Sequence, residues 1–323
     1  MNEDINNIEM PLFTEKVNLL KQTIGKVIVG QDRPIDLVLS AILARGHVLL
    51  EGVPGVAKTL LAKMIAKLIN ADFSRIQFTP DLMPSDVLGT SVFNMKTSEF
   101  DFHAGPVFAD IVLVDEVNRA PAKTQSALFE VMEERQATID GKRHKMSPFY
   151  TILATQNPVE QEGTYKLPEA QLDRFIMKIT IPYPSVEEEV EILKRHNSNA
   201  TLTNLDDIQP VITKEDLLMM FGQAEKVYIE NSLIQYIASV IQQTRTSKVI
   251  FLGASPRASV ALMQTSKAMA LIQGRGFVVP EDIKYVAPFV LQHRLLLTAE
   301  AEMEGHTPLK VVQRLMEKVE VPK

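Results

Sequence analysis

Two spacings of apolar residues alternate along the first 180 positions. Short runs, Val48-Leu49-Leu50, Ile111-Val112-Leu113-Val114 and Phe149 to Thr155, read as buried strands. Between them, apolar residues recur three and four apart, a helical period. Pro11 to about Ile24 is one such stretch, through Phe13, Val17, Leu20 and Ile24, with residues 1–10 expected to be frayed. Ile35–Ala44, with Asp32 as a candidate N-cap, Thr59–Ile69 and Pro121–Glu134 are others. Arg75–Phe78 and Ile176–Ile181 complete a set of strands, and Ser85–Leu88 reads as a helical turn. Val92–Met95 and Phe100–Phe102 flank polar Lys96-Thr97-Ser98 as a hairpin, and Asp140-Gly141 is a second hairpin turn. Strands alternating with helices predict an α/β, three-layer parallel sheet.

After Pro182-Tyr183-Pro184 the pattern changes. Helical stretches follow at Val186–His196, Lys214–Val227, Ser232–Thr244, Pro256–Gln273, Pro280–Leu291 and Leu309–Val319, with a polar linker over Ser198–Asp207. Pro256 and Pro280 stand at favoured first helical positions, and Gly274 marks a stop. The chain therefore divides into an α/β domain, residues 1–184, and a smaller all-helical domain, residues 185–323.

The candidate chemistry lies where the first strand meets its helix. Glu51-Gly52-Val53-Pro54-Gly55-Val56-Ala57-Lys58-Thr59-Leu60 sits between a strand and a helix, as a phosphate-binding loop requires. Inward backbone N–H groups and a helix N-terminus can hold polyphosphate. Lys58 would reach the β- and γ-phosphates, and the Thr59 hydroxyl would ligate Mg²⁺. The residue before the lysine departs from the glycine of that pattern: Ala57 costs little at helical φ and roughly a kcal/mol at positive φ.

A second motif makes the first more specific. The run Ile111–Val114 ends in Asp115-Glu116. Asp115 is placed to hold Mg²⁺ and Glu116 to orient the attacking water, against the alternative of a pair capping the next segment. Asn157, in Gln156-Asn157-Pro158, could touch the γ-phosphate or its water, or cap a turn before proline. Val27-Ile28-Val29-Gly30-Gln31 could wrap an adenine or form a core turn.

Composition narrows the classes. The chain has 323 residues, 46% hydrophobic and 23% charged, enough for two domains with a sizeable core. A net charge of −6 gives no global footprint for nucleic acid, so a nucleic-acid partner is not expected. The absence of cysteine excludes disulfides, thiol catalysis and thiolate metal sites. The six histidines lack ligand spacing. With no signal peptide or membrane-length apolar run, a cytoplasmic protein without membrane insertion is expected.

Together the phosphate loop, Asp115-Glu116, the Asn157 strand, Leu172-Asp173-Arg174-Phe175 and the helical tail resemble an AAA+ P-loop NTPase followed by its lid. The finer resemblance is to the MoxR family, carried by Glu51–Thr59, Val114–Gln125, Ala154–Pro158, Glu169–Phe175 and Gly253–Arg257. The Val92–Phe102 hairpin looks like the insert of a clade that includes magnesium-chelatase motor subunits. The resemblance implies sensor 1 at Asn157 and sensor 2 at Arg257, reaching the γ-phosphate from the lid. It implies an arginine finger at Arg174, acting on a neighbour's nucleotide; a local pair with Asp173 or Glu169 is the alternative, and Arg119 is the second candidate. It implies ATP and Mg²⁺ as cofactors, a hexameric homo-oligomer, and chaperone-like maturation of protein clients, including von Willebrand factor A domain proteins. The competing readings are a nucleotide-gated scaffold with little turnover, which Ala57 favours, a magnesium-chelatase-like motor subunit, and a DNA-directed motor.

Overall fold

The computed structural model describes residues 3–157, 167–197 and 205–321. Five strands, β1 (His47–Glu51), β2 (Phe73–Gln77), β3 (Ile111–Asp115), β4 (Thr151–Gln156) and β5 (Phe175–Thr180), form one parallel sheet in the order β2-β3-β4-β1-β5. The three central strands have apolar, buried middles, Val48–Leu50, Ile111–Val114 and Ile152–Ala154, because helices cover both faces. β1 lies between β4 and β5, with Glu51 level with Gln156 and Thr180. Register therefore brings the ends of β1 and β4 side by side, and β3 joins them through β4.

Both hairpins form. Gly89–Asn94 pairs with Glu99–Ala104, so the first is longer than Val92–Phe102, and Gln136–Ile139 pairs with Lys142–Lys145 around Asp140-Gly141. The beginning of the chain differs from the expected frayed end. Residues 3–10 belong to a helix, Glu3–Gly25, with Pro11 inside it. Asp32 is the first helical residue rather than the N-cap; Gln31 takes the cap position without a side-chain cap bond. Pro158 and most of the expected Ser198–Asp207 linker lie outside the described residues.

The C-terminal part is helical, with one short addition: Ile250–Leu252 pairs antiparallel with Leu296–Leu297. Its helix Pro256–Ile272 packs on Asp32–Leu43, which is buried along almost its whole length. One apolar cluster runs from Phe13 through Ile35 and Ile42 to Leu262, Met269 and Leu291, across the expected 184/185 boundary. Helix Val186–Asn197, just past that boundary, leans on the N-terminal part: Arg195 donates to the carbonyls of Gly25 and Lys26 at 2.8 and 2.9 Å.

Candidate nucleotide site

β1 ends at Glu51, held by Lys178 of β5 at 2.7 Å, and the chain turns through Gly52–Ala57 into helix Lys58–Leu68. The turn needs two left-handed residues. Gly55 has φ +90°, which only glycine adopts freely, and Ala57 has φ +61° and ψ +22°. Of the two conformations open to Ala57, the strained one is realised. Lys58 turns back onto the loop, donating to the carbonyls of Gly52 and Val53. Burial lowers its pKa, while Asp115, Glu116 and Glu51 pull the other way by stabilising its positive charge. This cation therefore sits where loop carbonyls and nearby carboxylates hold it in the path of a phosphate.

The Asp115-Glu116 pair stands at the carboxyl end of β3. Asp115 Oδ1 accepts from the Thr155 hydroxyl at 3.2 Å, and Oδ2 lies 2.6 Å from Nε of Arg75. Glu116 has φ +56°, an uncommon value for a non-glycine residue. Its N–H donates to Thr155 Oγ1 at 3.0 Å. Its carboxylate accepts from Gln77 Nε2 at 3.1 Å and pairs with Arg119 Nε at 3.0 Å. Asn157 follows β4 directly, beside the Gly52 N–H that meets Gln156 O at 3.4 Å. Lys58, Thr59, Asp115, Glu116 and Asn157 thus share one edge of the sheet.

Arg75, Gln77 and Thr155 were not singled out from the sequence. The available signal was the alternation in β2, with Arg75 and Gln77 exposed around buried Ile76. That pattern places two polar side chains on one face, but only register shows that they reach β3.

Next to the loop lies a cavity of about 220 Å³ with mostly apolar walls: Val27 to Gln31, Gly55 to Ala57 and Leu60, Pro182 to Pro184, and Glu188 with Ile192. Gly30 has φ +74°, a backbone conformation that strains any residue with a Cβ, and a side chain there would also displace the Glu188 carboxylate. Gln31 Nε2 donates to Val56 O at 2.8 Å, tying this wall to the loop. Gln31 Oε1 is buried without a partner among the described residues, an acceptor suited to an exocyclic amino group. Val27 to Gln31 thus line a cavity beside the loop. The oxygen donors, Thr59 hydroxyl and Asp115 carboxylate, suit Mg²⁺, a hard cation usually held by one or two carboxylates plus phosphates.

Three of the expected site arginines stand elsewhere or are engaged. Arg174 precedes Phe175, which pairs with His47 at the start of β1, and donates to Phe129 O. Arg257 meets Glu133 with both terminal nitrogens, at 2.6 and 3.3 Å. Glu133 lies in the last turn of helix Ala122–Glu134, whose Met132 carbonyl meets His47 Nε2 at 3.1 Å. Both arginines therefore lie at the base of the sheet, one length of β1, about 13 Å, from the loop. Arg257 is not brought to its own Lys58. Arg119 lies at the site edge, on Glu116.

The fold is that of an AAA+ ATPase with its lid. A family model of the ATPase family associated with various cellular activities (AAA) matches residues 47–177, and one of the AAA lid domain matches 242–315. YeaC of Bacillus subtilis (strain 168), a protein without an assigned function, is 48% identical over 93% of this chain and 92% of its own. Chaperone MoxR1 of Mycobacterium tuberculosis (strain ATCC 25618 / H37Rv) is 41% identical over 99% of this chain and 83% of its own. A crystal structure from Cytophaga hutchinsonii ATCC 33406, of a protein named provisionally as an ATPase, superposes with a TM-score of 0.91 at 42% identity, covering 100% of both chains. The chain belongs to the MoxR family of AAA+ ATPases. No helix among the described residues is long and apolar enough to cross a membrane.

Proposed function

We propose that this chain binds ATP with Mg²⁺ and hydrolyses it to ADP and phosphate in a cytoplasmic, head-to-tail hexameric ring, and that turnover drives remodelling or maturation of protein partners, von Willebrand factor A domain proteins among them. The observation that carries the reading is the meeting of Lys58, Asp115, Glu116 and Asn157 at one sheet edge, beside an apolar cavity tied to the loop by Gln31. Val29, Gly30 and Gln31 take the base, and the Gly52–Ala57 loop with Lys58 takes the phosphates. Thr59 and Asp115 hold Mg²⁺, which neutralises charge on the β- and γ-phosphates. Glu116 orients water and accepts its proton as the bond to the γ-phosphorus forms and the bond to the β-bridging oxygen breaks. Asn157 holds that water or the γ-phosphate.

The base-side position of Arg174 and Arg257 supports a ring. Side chains that cannot reach their own nucleotide can reach a neighbour's, and a heterologous contact that closes makes a ring. The name chaperone MoxR1, borne by a relative, supports protein partners over nucleic acid.

Phosphate release from MgATP, with Lys58→Ala beside the parent, tests the reading. The variant should keep its fold and lose ATP-induced thermal stabilisation. Equal stabilisation in both would remove the phosphate-loop assignment. Glu116→Gln should hold ATP and retain partners in a pull-down. A nucleotide-gated scaffold with little turnover is favoured by two features, Ala57 at positive φ and a Glu116 carboxylate already engaged by Gln77 and Arg119. Saturable nucleotide binding without phosphate release would establish that alternative.

A further inference from the structure

Asp115 is almost enclosed, with 9% of its side chain exposed, and its two oxygens are committed differently. Oδ1 takes a neutral hydroxyl, from Thr155 in the next strand. Oδ2 takes a full positive charge, from Arg75 at 2.6 Å. A buried charge is costly unless it is paired, and at 2.6 Å Arg75 supplies the pair for this carboxylate. Arg75 itself is not enclosed. Half of its side chain, 49%, is exposed, and its other bond, from Nη2 to Gln77 Oε1, is long at 3.4 Å. The arginine can therefore swing outward at small cost, while the carboxylate cannot follow it.

A magnesium ion directed to Asp115 and Thr59 meets this arrangement. The ion carries two charges and keeps several of its waters, so it approaches a carboxylate as a bulky, strongly positive group. A guanidinium on the same enclosed carboxylate would repel it in a site only partly screened by solvent.

We propose that Arg75 is the resident counter-ion of Asp115, occupying the magnesium side of that carboxylate until the ion displaces it toward solvent. The proposal rests on the nucleotide-and-magnesium reading of the site and adds a residue from outside its motifs. The arginine pairs with Asp115 and orients it before the cation arrives, and it sets a threshold for the cation: magnesium must compete with it. Arg75 acts through Asp115 and is a positioning residue, with no contact to the reacting phosphate required.

The sign of one measurement separates this exchange from a merely structural role. A fluorescent ATP analogue is held at fixed concentration, and its anisotropy is followed as free Mg²⁺ is raised from an EDTA-buffered start. For Arg75→Gln the Mg²⁺ midpoint should fall, by about three- to tenfold, since a charged hydrogen bond no longer competes. Arg75→Lys, which keeps the charge, should stay within about twofold of the parent. An unchanged or higher midpoint in Arg75→Gln overturns the proposal, because an arginine that remains in place and supports the ion would be missed by it. Should Arg75→Gln not fold, the parent decides: modification of Arg75 by phenylglyoxal, read by peptide mass spectrometry, should be faster with ATP and Mg²⁺ than with ATP and EDTA. Equal or slower modification overturns the exchange. If the parent binds the analogue at no Mg²⁺ concentration, the nucleotide reading fails and the proposal falls with it. Binding with Mg²⁺ midpoints that ignore residue 75 removes the exchange alone.

Discussion

Asp173→Ala should destabilise the chain by about 3 kcal/mol, because it strips the counter-charge from a buried arginine. Arg294 has 4% of its side chain exposed and reaches Asp173 Oδ1 through Nε at 2.6 Å. Its remaining donors meet the carbonyls of Asp173, Phe175, Ile176 and Val290. Breaking a buried pair by removing one partner costs about 3–5 kcal/mol. The carbonyls stay in place and solvate part of the guanidinium, which argues for the lower end. Arg294→Leu should cost less, since Asp173 is 22% exposed and can take water. The internal control is Arg257→Ala, which breaks a pair exposed by 59% and 36% and should cost at most about 1 kcal/mol. Urea unfolding followed by far-ultraviolet circular dichroism measures the series. At a slope of about 3 kcal/mol per molar, Asp173→Ala should lower the midpoint by about 1 M. A shift no larger than that of Arg257→Ala would refute the reasoning, showing that carbonyl dipoles alone suffice for Arg294. Asp173 also directly precedes Arg174, so the variant should lose turnover even where it remains folded.

The fold should weaken in mild acid. His47 is buried, donates from Nε2 to Met132 O, and accepts from the Ile152 N–H at Nδ1, so its neutral form is required and its pKa is pushed down to about 3, chiefly by burial. The unfolded chain binds the proton at about 6.5, so this contribution to stability is complete above pH 6.5 and is lost as pH falls toward 3, by about 2 kcal/mol at pH 5; denaturation midpoints across that range check it. Ala57→Gly should raise turnover modestly and stability by at most about 0.5 kcal/mol, the roughly 1 kcal/mol of relieved strain less the entropy of glycine, read by phosphate release and urea midpoint; no change or a loss of turnover would mean that the loop is adapted to alanine. Glu116→Gln and Arg174→Ala should each be nearly inactive and partly recover when mixed, since an Arg174→Ala pocket keeps Glu116 and can receive a neighbour's Arg174; native mass spectrometry confirms mixed rings, and parental turnover in Arg174→Ala alone would pass the finger to Arg119.

The parts of this molecule legible in the sequence are those with a local cause. Val48–Leu50 and Ile111–Val114 are apolar without interruption because both faces are covered, and their period alone places them. The phosphate loop is legible because its turn, its lysine and its helix are contiguous. What register decides is not legible. Arg75 reaches Asp115 across forty positions of chain, and nothing near either residue announces the other. Tyr183 and Pro184 read as a linker because proline marks it, yet they line the cavity beside the loop. The backbone at Ala57 was open between two conformations, and only the realised turn selects the strained one. Arg257 could be assigned to the start of a helix, but its partner Glu133 comes from a helix more than a hundred positions earlier.

These long-range contacts relate the two ends of the sheet. At the loop end, Gly30 and Gln31 lead straight into helix Asp32–Leu43, on which helix Pro256–Ile272 packs. At the base, that same C-terminal helix presents Arg257 to Glu133, and Ser255 just before it donates to Asp173 at 3.3 Å. Asp173 is clamped by Arg294 and is followed by Arg174, itself bonded to Phe129. One helix therefore packs on the helix that directly follows the cavity wall, and the Ser255 at its N-cap touches the segment that carries the proposed finger. A shift of Pro256–Ile272 cannot leave both unchanged, because packed contacts reseat discretely rather than stretch. Within the proposed ring, the first contact would serve the subunit's own nucleotide and the second its neighbour's. Closure around ATP in one subunit would then alter the arginine offered to the next, and the Asp173–Arg294 clamp is where that coupling is open to mutation.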